Sequence, residues 1–391
     1  MEPARPNPTL LDDLITEILI RLPVKSVVQF QSVSKTWLSL IKHPAFVKAQ
    51  LRHALTTQTH HTLVTPIVER YTRIKIFLLH VESRQILSEF KFPFSRGEVA
   101  FKVVGSANGI IFGAAIPSGS CKISWYLWNP AIRQSMLIPP YTCSGSCTLG
   151  FAYDPIDQDF KIVCVDVSSL SAEVYSANRN VWRKLPHPVS VPLGGYKVCV
   201  NGFLFGINGE YNMLTFDLNK EVMNCAIKLP VVVAPDNDPD DPDNIDEPYE
   251  AQAQARIIEF NNSIAVIVLW SNALNGDTTK RRLEKIVKMW KLDDDACLRD
   301  GGVEASWTLM FSIDLGVRAR LINGYFSKGD LLLLISNINY DYMWISGNAY
   351  KKEAKIVPIP VEMAGHHNNS NVYEYTESLA GFKQVSWNVG G

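Results

Sequence analysis

A two-residue bend, Asn-Gly or an equivalent, recurs at the head of short apolar strands, and an aromatic-bearing strand follows each time. Val103–Val104–Gly105–Ser106–Ala107–Asn108–Gly109–Ile110–Ile111–Phe112 leads to Trp125–Tyr126–Leu127–Trp128–Asn129–Pro130 and closes at Ile138–Pro139. Val198 to Phe205, bent at Asn201–Gly202, leads to Leu214–Thr215–Phe216–Asp217–Leu218 and closes at Leu229–Pro230. Asn261–Asn262 and Lys328–Gly329 stand at the same place in two further units, ahead of Met289–Trp290 and Met343–Trp344. Asn-Gly supplies the positive φ angles that a tight hairpin requires. The aromatic-bearing strands begin near positions 126, 172, 214, 287 and 342, so the gaps are about 46, 42, 73 and 55 residues. The longest gap contains an acidic insertion, 235–250. With it removed the period suits propeller blades of about 40–50 residues rather than helical repeats. Ile74–Leu79 and Ile86–Phe92 add an earlier blade. The fold class expected is therefore α+β and multidomain, its larger part a kelch-like β-propeller of six or more blades. A pair of β-sandwiches is the second choice.

The first fifty residues follow a different period. Leu14, Ile18 and Leu22 recur at four-residue spacing, with Ile15 and Leu19 widening the stripe into a helical face. Asp12 or Asp13 is a candidate cap for that helix, and Pro23 ends it. Ser26 is a candidate cap for a second helix carrying Val27 and Phe30. A third carries Trp37, Leu40 and Ile41 up to His43–Pro44, and a fourth runs through Phe46 and Leu51. Helices this short, over about 45 residues, cannot bury all their apolar surface among themselves. Part of it is left for the rest of the chain or for another protein. The boundaries expected are a helical domain at 8–53, a linker at 54–73, a β domain at 74–380 and a tail at 381–391.

Composition narrows the function classes. The 391 residues carry 38 Lys and Arg against 39 Asp and Glu, a net charge of −1, which gives no bulk attraction to nucleic acid or anionic lipid. No apolar run reaches the ~20 residues of a membrane span, and Met1–Pro6 shows neither an export core nor an acylation glycine. A cytoplasmic or nuclear location is the expectation. Seven scattered cysteines form no even framework, and Cys143 and Cys147 have no second pair at zinc spacing, so reduced thiols are expected.

Leu10–Leu11–Asp12–Asp13–Leu14–Ile15–Thr16–Glu17–Ile18–Leu19–Ile20–Arg21–Leu22–Pro23–Val24–Lys25–Ser26 resembles the opening of an F-box. The resemblance continues through Phe30–Trp37 and Leu40–Phe46. Asp12 stands where the family has Pro, and Ser34 where it has Cys. The resemblance implies docking onto a Skp-family adaptor, and through it onto a cullin–RING ubiquitin ligase. By position, Leu11, Leu14, Ile18, Leu22, Pro23, Val24, Val27 and Phe30 would face the adaptor or shape that face, while Val33, Trp37 and Ile41 would fill the adaptor groove or the space between helices. Further on, Leu127–Arg133, Gly150–Pro155, Asp159–Val163, Glu173–Ser176 with Trp182–Arg183, Phe216–Leu218 and Glu304–Thr308 stand in the order of the plant F-box-associated domain. Tyr375–Thr376–Glu377–Ser378–Leu379 resembles its ending. That resemblance implies a kelch-like domain that holds a protein to be ubiquitylated; the substrate-binding residues stay unassigned.

Competing chemistry is thin. His60–His61 and His366–His367 are adjacent pairs, whose side chains diverge in a strand, and no metal site is expected from them. Asp236–Asp243 imitates a calcium loop but lacks its central Gly and closing Glu, so a solvated acidic insertion is expected. Lys280–Arg281–Arg282 with Lys285, Lys288 and Lys291 reads as a solvated strand face. No phosphate loop or Gly-x-Ser-x-Gly elbow is present, and no catalytic residue and no cofactor are expected. The leading function is a non-catalytic substrate receptor of a Skp–cullin–F-box ligase; the alternatives are a propeller scaffold or a hydrolase-like propeller acting outside such a ligase. Trp128, Trp182, Trp290, Trp307 and Trp344 are expected at corresponding core positions. Segments around Tyr141, Tyr211 and Tyr340 are expected to carry substrate contacts.

Overall fold

The computed structural model describes residues 10–57, 62–69, 73–80, 83, 85–90, 99–117, 123–142, 146–186, 190–192, 195–230, 251–272, 286–294, 298, 305–314, 321–327, 330–336, 342–348, 353–357 and 373–382. The acidic insertion, both histidine pairs, Tyr340, Cys143 and Lys280 to Lys285 lie outside the described residues.

Among the described residues four helices come first: α1 (Leu10–Ile20), α2 (Val24–Phe30), α3 (Lys35–Lys42) and α4 (Pro44–Thr57). Their caps differ from the sequence expectation. Helix α1 already runs at Leu10, so Asp12 and Asp13 stand in its first turn. Pro23, extended at φ −55° and ψ 143°, occupies the cap position of α2 and leaves Ser26 inside that helix. Ser34 caps α3, its hydroxyl accepting from the Trp37 N–H at 3.1 Å. Pro44 opens α4, where the missing N–H has no intrahelical partner to lose.

Among the described residues the strands form six four-stranded antiparallel sheets. The first holds β1 (Thr62–Glu69), β2 (Arg73–His80) and β3 (Ile86–Phe90). The second holds β4 (Val99–Ala107), β5 (Ile110–Pro117), β6 (Ser124–Asn129) and β7 (Gln134–Leu137). The third is β8 (Cys147–Asp154), β9 (Asp159–Asp166), β10 (Ala172–Ser176) and β11 (Val181–Lys184). The fourth is β12 (Val198–Val200), β13 (Phe203–Ile207), β14 (Asn212–Asp217) and β15 (Val222–Lys228). The fifth is β16 (Ala251–Phe260), β17 (Ser263–Asn272), β18 (Ile286–Leu292) and β19 (Trp307–Asp314), and the sixth is β20 (Leu321–Ser327), β21 (Asp330–Ser336), β22 (Tyr342–Asn348) and β23 (Glu353–Val357). A last strand, β24 (Tyr373–Tyr375), returns to complete the first sheet, pairing Thr62 with Tyr375 and Val64 with Tyr373. Sequential meanders of four, closed by a strand from the far end of the chain, are blade topology and not the pooled sheets of a sandwich.

The bends are as the residues require. Asn108 and Gly109 have φ of 47° and 80°, Asn201 and Gly202 51° and 83°, and Asn261 and Asn262 51° and 58°. The aromatic-bearing strands β6, β10, β14, β18 and β22 are each the third of their sheet. Two expectations are corrected. The stretch 54–73 is not a linker, since α4 reaches Thr57 and β1 spans Thr62–Glu69. Pro66 makes β1 look unlike a strand, yet proline is tolerated where no ladder N–H is needed. The tryptophans are likewise not equivalent. Trp128, Trp290 and Trp344 lie on third strands, whereas Trp182 and Trp307 lie on fourth strands. Trp128 is buried; Trp182, Trp290 and Trp307 are half-buried. The indole N–H of Trp182 donates to the Pro139 carbonyl at 2.7 Å, and that of Trp307 to the Lys228 carbonyl at 3.2 Å. The third and fourth strands thus use tryptophan differently, one as ring packing and the other as a donor at the sheet margin.

The chain divides into two compact units. One contains the helices, β3, the second sheet and the C-terminal segment; the other contains the third to sixth sheets. In the first, Trp128 meets Phe90 and Phe101 edge-on at ring distances of 5.7 and 6.3 Å, and Tyr375 meets Phe90 at 5.6 Å. In the second, Val163, Val174, Phe216 and Leu218 form one core, while Phe205, Met213, Val266 and Val268 form another. Every residue of β9 is buried, which explains why Ile162–Val163–Cys164–Val165 runs apolar without alternation.

Candidate adaptor-docking face

Apolar residues on α1 fall on two adjacent stripes. Ile15, Leu19 and Leu22 turn toward a core of Leu19, Val24, Val27, Ile41 and Phe46. Leu14 and Ile18, one turn apart, point away from it and are 54% and 59% exposed. Val33, in the turn after α2, is 60% exposed, and Pro23 is also exposed. Leaving three large aliphatic side chains in water on one small helical unit gains nothing for its own fold, since each is worth about 1.5–3 kcal/mol only when fully buried. Around the exposed group the core is already filled.

The eleven residues named from sequence therefore separate, with Ile41 buried in the core itself. Leu14, Ile18, Pro23 and Val33 present surface. Val24 and Val27, 2% and 0% exposed, present none: they shape the face from behind, and the expectation that they could themselves face a partner is corrected. Leu22, Phe30 and Trp37 are half-buried against the same core, with Phe30 and Trp37 edge-on at 5.6 Å. The Leu11 side chain lies outside the described residues. Four-residue periodicity grouped Leu22 with Leu14 and Ile18, but α1 ends at Ile20, so Leu22 lies in the turn beyond the helix and packs inward.

What the helical period could not reveal is the floor beneath these helices. Leu379, from the C-terminal segment, is 7% exposed within the same core, and Ala131 and Ile132 of the β6–β7 turn pack against it. The carboxyl of Glu377 lies near the Lys25 ammonium; burial pushes it above the usual carboxylate range and Lys25 only partly opposes this.

Residues 9–48 match the F-box domain family, and residues 64–240 match the F-box associated beta propeller domain. The chain carries an F-box followed by an F-box-associated β-propeller domain. The fifth and sixth sheets lie past the matched stretch and repeat its strand order. Similar proteins include the Arabidopsis thaliana F-box protein At5g07610, 26% identical over 281 residues, with 64% of this chain and 64% of that protein covered. F-box protein CPR1 of the same plant is 25% identical over 197 residues, covering 45% of each, and F-box/kelch-repeat protein At3g23880 is 30% identical over 190 residues, covering 44% and 50%. The chain spans less than two thirds of the length of each of these relatives.

In the second unit a cleft of about 430 Å³ lies between the β12–β13 and β16–β17 turns. Val200, Phe205 and Ile264 floor it, and Asn201, Lys291 and Asp293 stand at its rim. Hydrogen bonds from Thr308 and Ser306 hold the Asp293 carboxyl below its usual range. Of the tyrosines in the segments expected to carry substrate contacts, Tyr141 meets Trp182 edge-on at 5.7 Å, and Tyr211, at φ 57°, packs against the core of the fourth and fifth sheets.

Proposed function

We propose that this protein is a non-catalytic substrate receptor of a Skp–cullin–F-box ubiquitin ligase. The observation that carries the reading is an F-box whose interior is complete while Leu14, Ile18 and Val33 remain in water. An aliphatic stripe of that kind fits the apolar groove of a Skp-family adaptor. The propeller domain supplies the surface that holds a protein substrate, and its sheets provide a rigid scaffold for variable turns. Acceleration comes from proximity: a substrate lysine held beside a charged ubiquitin-conjugating enzyme reacts at raised effective concentration. The cytoplasm and the nucleus are where such a complex would work.

The test is co-purification with a Skp-family adaptor. Leu14→Asp/Ile18→Asp places two charges at solvent-exposed positions, so the chain should keep its thermal unfolding and lose adaptor binding by at least about 100-fold, from the loss of apolar burial and the cost of desolvating charge. Wild-type adaptor binding by this variant would remove the reading. Leu22→Ala is a poorer probe, because its side chain also belongs to the helical core.

A further inference from the structure

The F-box core is finished by residues that are not part of the F-box. Leu379 lies within it, and the segment carrying Leu379 is tied to the second sheet on both flanks. The Asn129 amide donates to the carbonyls of Ser378 at 2.9 Å and Ala380 at 2.7 Å, while its oxygen accepts from the Ala131 N–H at 2.9 Å. The Ser378 hydroxyl donates to the Asn108 carbonyl at 2.7 Å. Gln134 pairs with both backbone groups of Phe382, each at 3.1 Å. Asn129 is fully buried, so these bonds are made away from water, where losing a partner is costly. The segment therefore cannot shift without breaking several bonds together.

We propose that Leu379 is a positioning residue that locks the F-box onto the second sheet and so sets where a docked ligase can reach. This rests on the receptor reading above. A tethered F-box would let the ligase sweep many directions; a clamped one presents a restricted set of lysines to the ubiquitin-conjugating enzyme. Asn129 and Ser378 hold the clamp, and Ile132 supplies the sheet side of the same apolar contact.

The experiment uses the full chain with adaptor and cullin–RING ligase, with the chain's own lysines as the ubiquitin acceptors. Leu379→Ala is compared with Ile132→Ala, a milder change at a half-buried position, and with the volume-conserving Leu379→Met. Hydrogen exchange of α2 should become about tenfold faster in both alanine variants and stay unchanged in Leu379→Met. Mass spectrometry should find ubiquitin on a narrow set of lysines in the wild type and in Leu379→Met, and on additional lysines in the alanine variants, at adaptor affinities within about twofold of one another. Unchanged exchange in α2 overturns the clamp. Faster exchange with an identical lysine pattern shows a merely structural contact and overturns the positioning role. A wild-type chain that binds no adaptor sinks the receptor reading instead, and the exchange measurement still decides the clamp.

Discussion

The ammonium of Lys161 lies 2.8 Å from the Asp154 carboxylate, with both side chains at most 2% exposed. The two residues belong to opposite arms of the β8–β9 hairpin, and the same ammonium reaches Asp157 at 2.7 Å, Glu221 at 3.2 Å and the Leu218 carbonyl at 2.8 Å. One cation thus joins the third sheet to the fourth. Removing it leaves the buried Asp154 carboxylate without a counter-charge, and Lys161→Met should cost about 3–5 kcal/mol in urea unfolding. A loss below about 1 kcal/mol would show that water enters the site freely.

Two carboxyls give opposite pH signatures. Burial pushes Asp154 upward, but the Lys161 ammonium and the N–H groups of Ile156 and Asp157 outweigh it and hold the carboxyl below its usual range. Its contribution is present above the unfolded value of about 4 and is lost as pH falls through the lower folded value. Glu377 is displaced upward by burial, so the folded chain favours its neutral form. Below the unfolded value it costs nothing; as pH rises the unfolded chain ionises first and stability is lost until the folded value is passed. Glu377→Gln should therefore raise the melting temperature at pH 7 and leave it unchanged at pH 4, and a lowered melting temperature at pH 7 would show that the Lys25 attraction prevails.

Gly109 and Gly202 occupy equivalent bends at nearly equal φ, 80° and 83°. A Cβ on Gly202 would meet nothing nearer than Pro155 at 4.0 Å, whereas on Gly109 it would press on Ser378 and, at 2.6 Å, on the Thr376 carbonyl. Gly202→Ala should cost about 1–2 kcal/mol from the left-handed backbone alone. Gly109→Ala should cost about 2 kcal/mol more, because the C-terminal segment has no room to give. Equal losses in thermal denaturation would mean that this segment yields.

Trp128 and Trp182 separate ring packing from hydrogen bonding. Trp128→Ala should lose about 3–5 kcal/mol, since the indole is buried between Phe90 and Phe101. Trp182→Phe keeps an aromatic ring beside Tyr141 and Tyr175 and removes only the donor to Pro139, a loss of about 1 kcal/mol. Circular dichroism melts of the two variants rank them, and a reversed order would overturn the assignment of core and margin.

The repeating blades and their third strands were legible in the chain, though not the exact blade number, because Asn-Gly bends and aromatic-bearing strands are local signals: the φ requirement of a two-residue hairpin and the alternation of a strand act over a few residues. The strands that escaped were β1 and β24. Pro66 disguises one, and three residues are too few to show a period in the other; β24 is a strand because its partner β1 lies about 300 positions away in sequence.

The F-box was equally plain in its order of residues, and its helices follow from apolar spacing. Which of those apolar residues look inward is another matter. Leu14 and Ile15 are neighbours of similar hydrophobicity, and Val27 is no more apolar than Val33; the sequence by itself determines that all of them must avoid water somewhere. Only the tertiary structure decides that Ile15 and Val27 do so inside the chain while Leu14 and Val33 do not, because the choice is made by which neighbours have already filled the core. Among those neighbours is Leu379, delivered by strand closure from more than 300 residues away, a contact that no local period encodes.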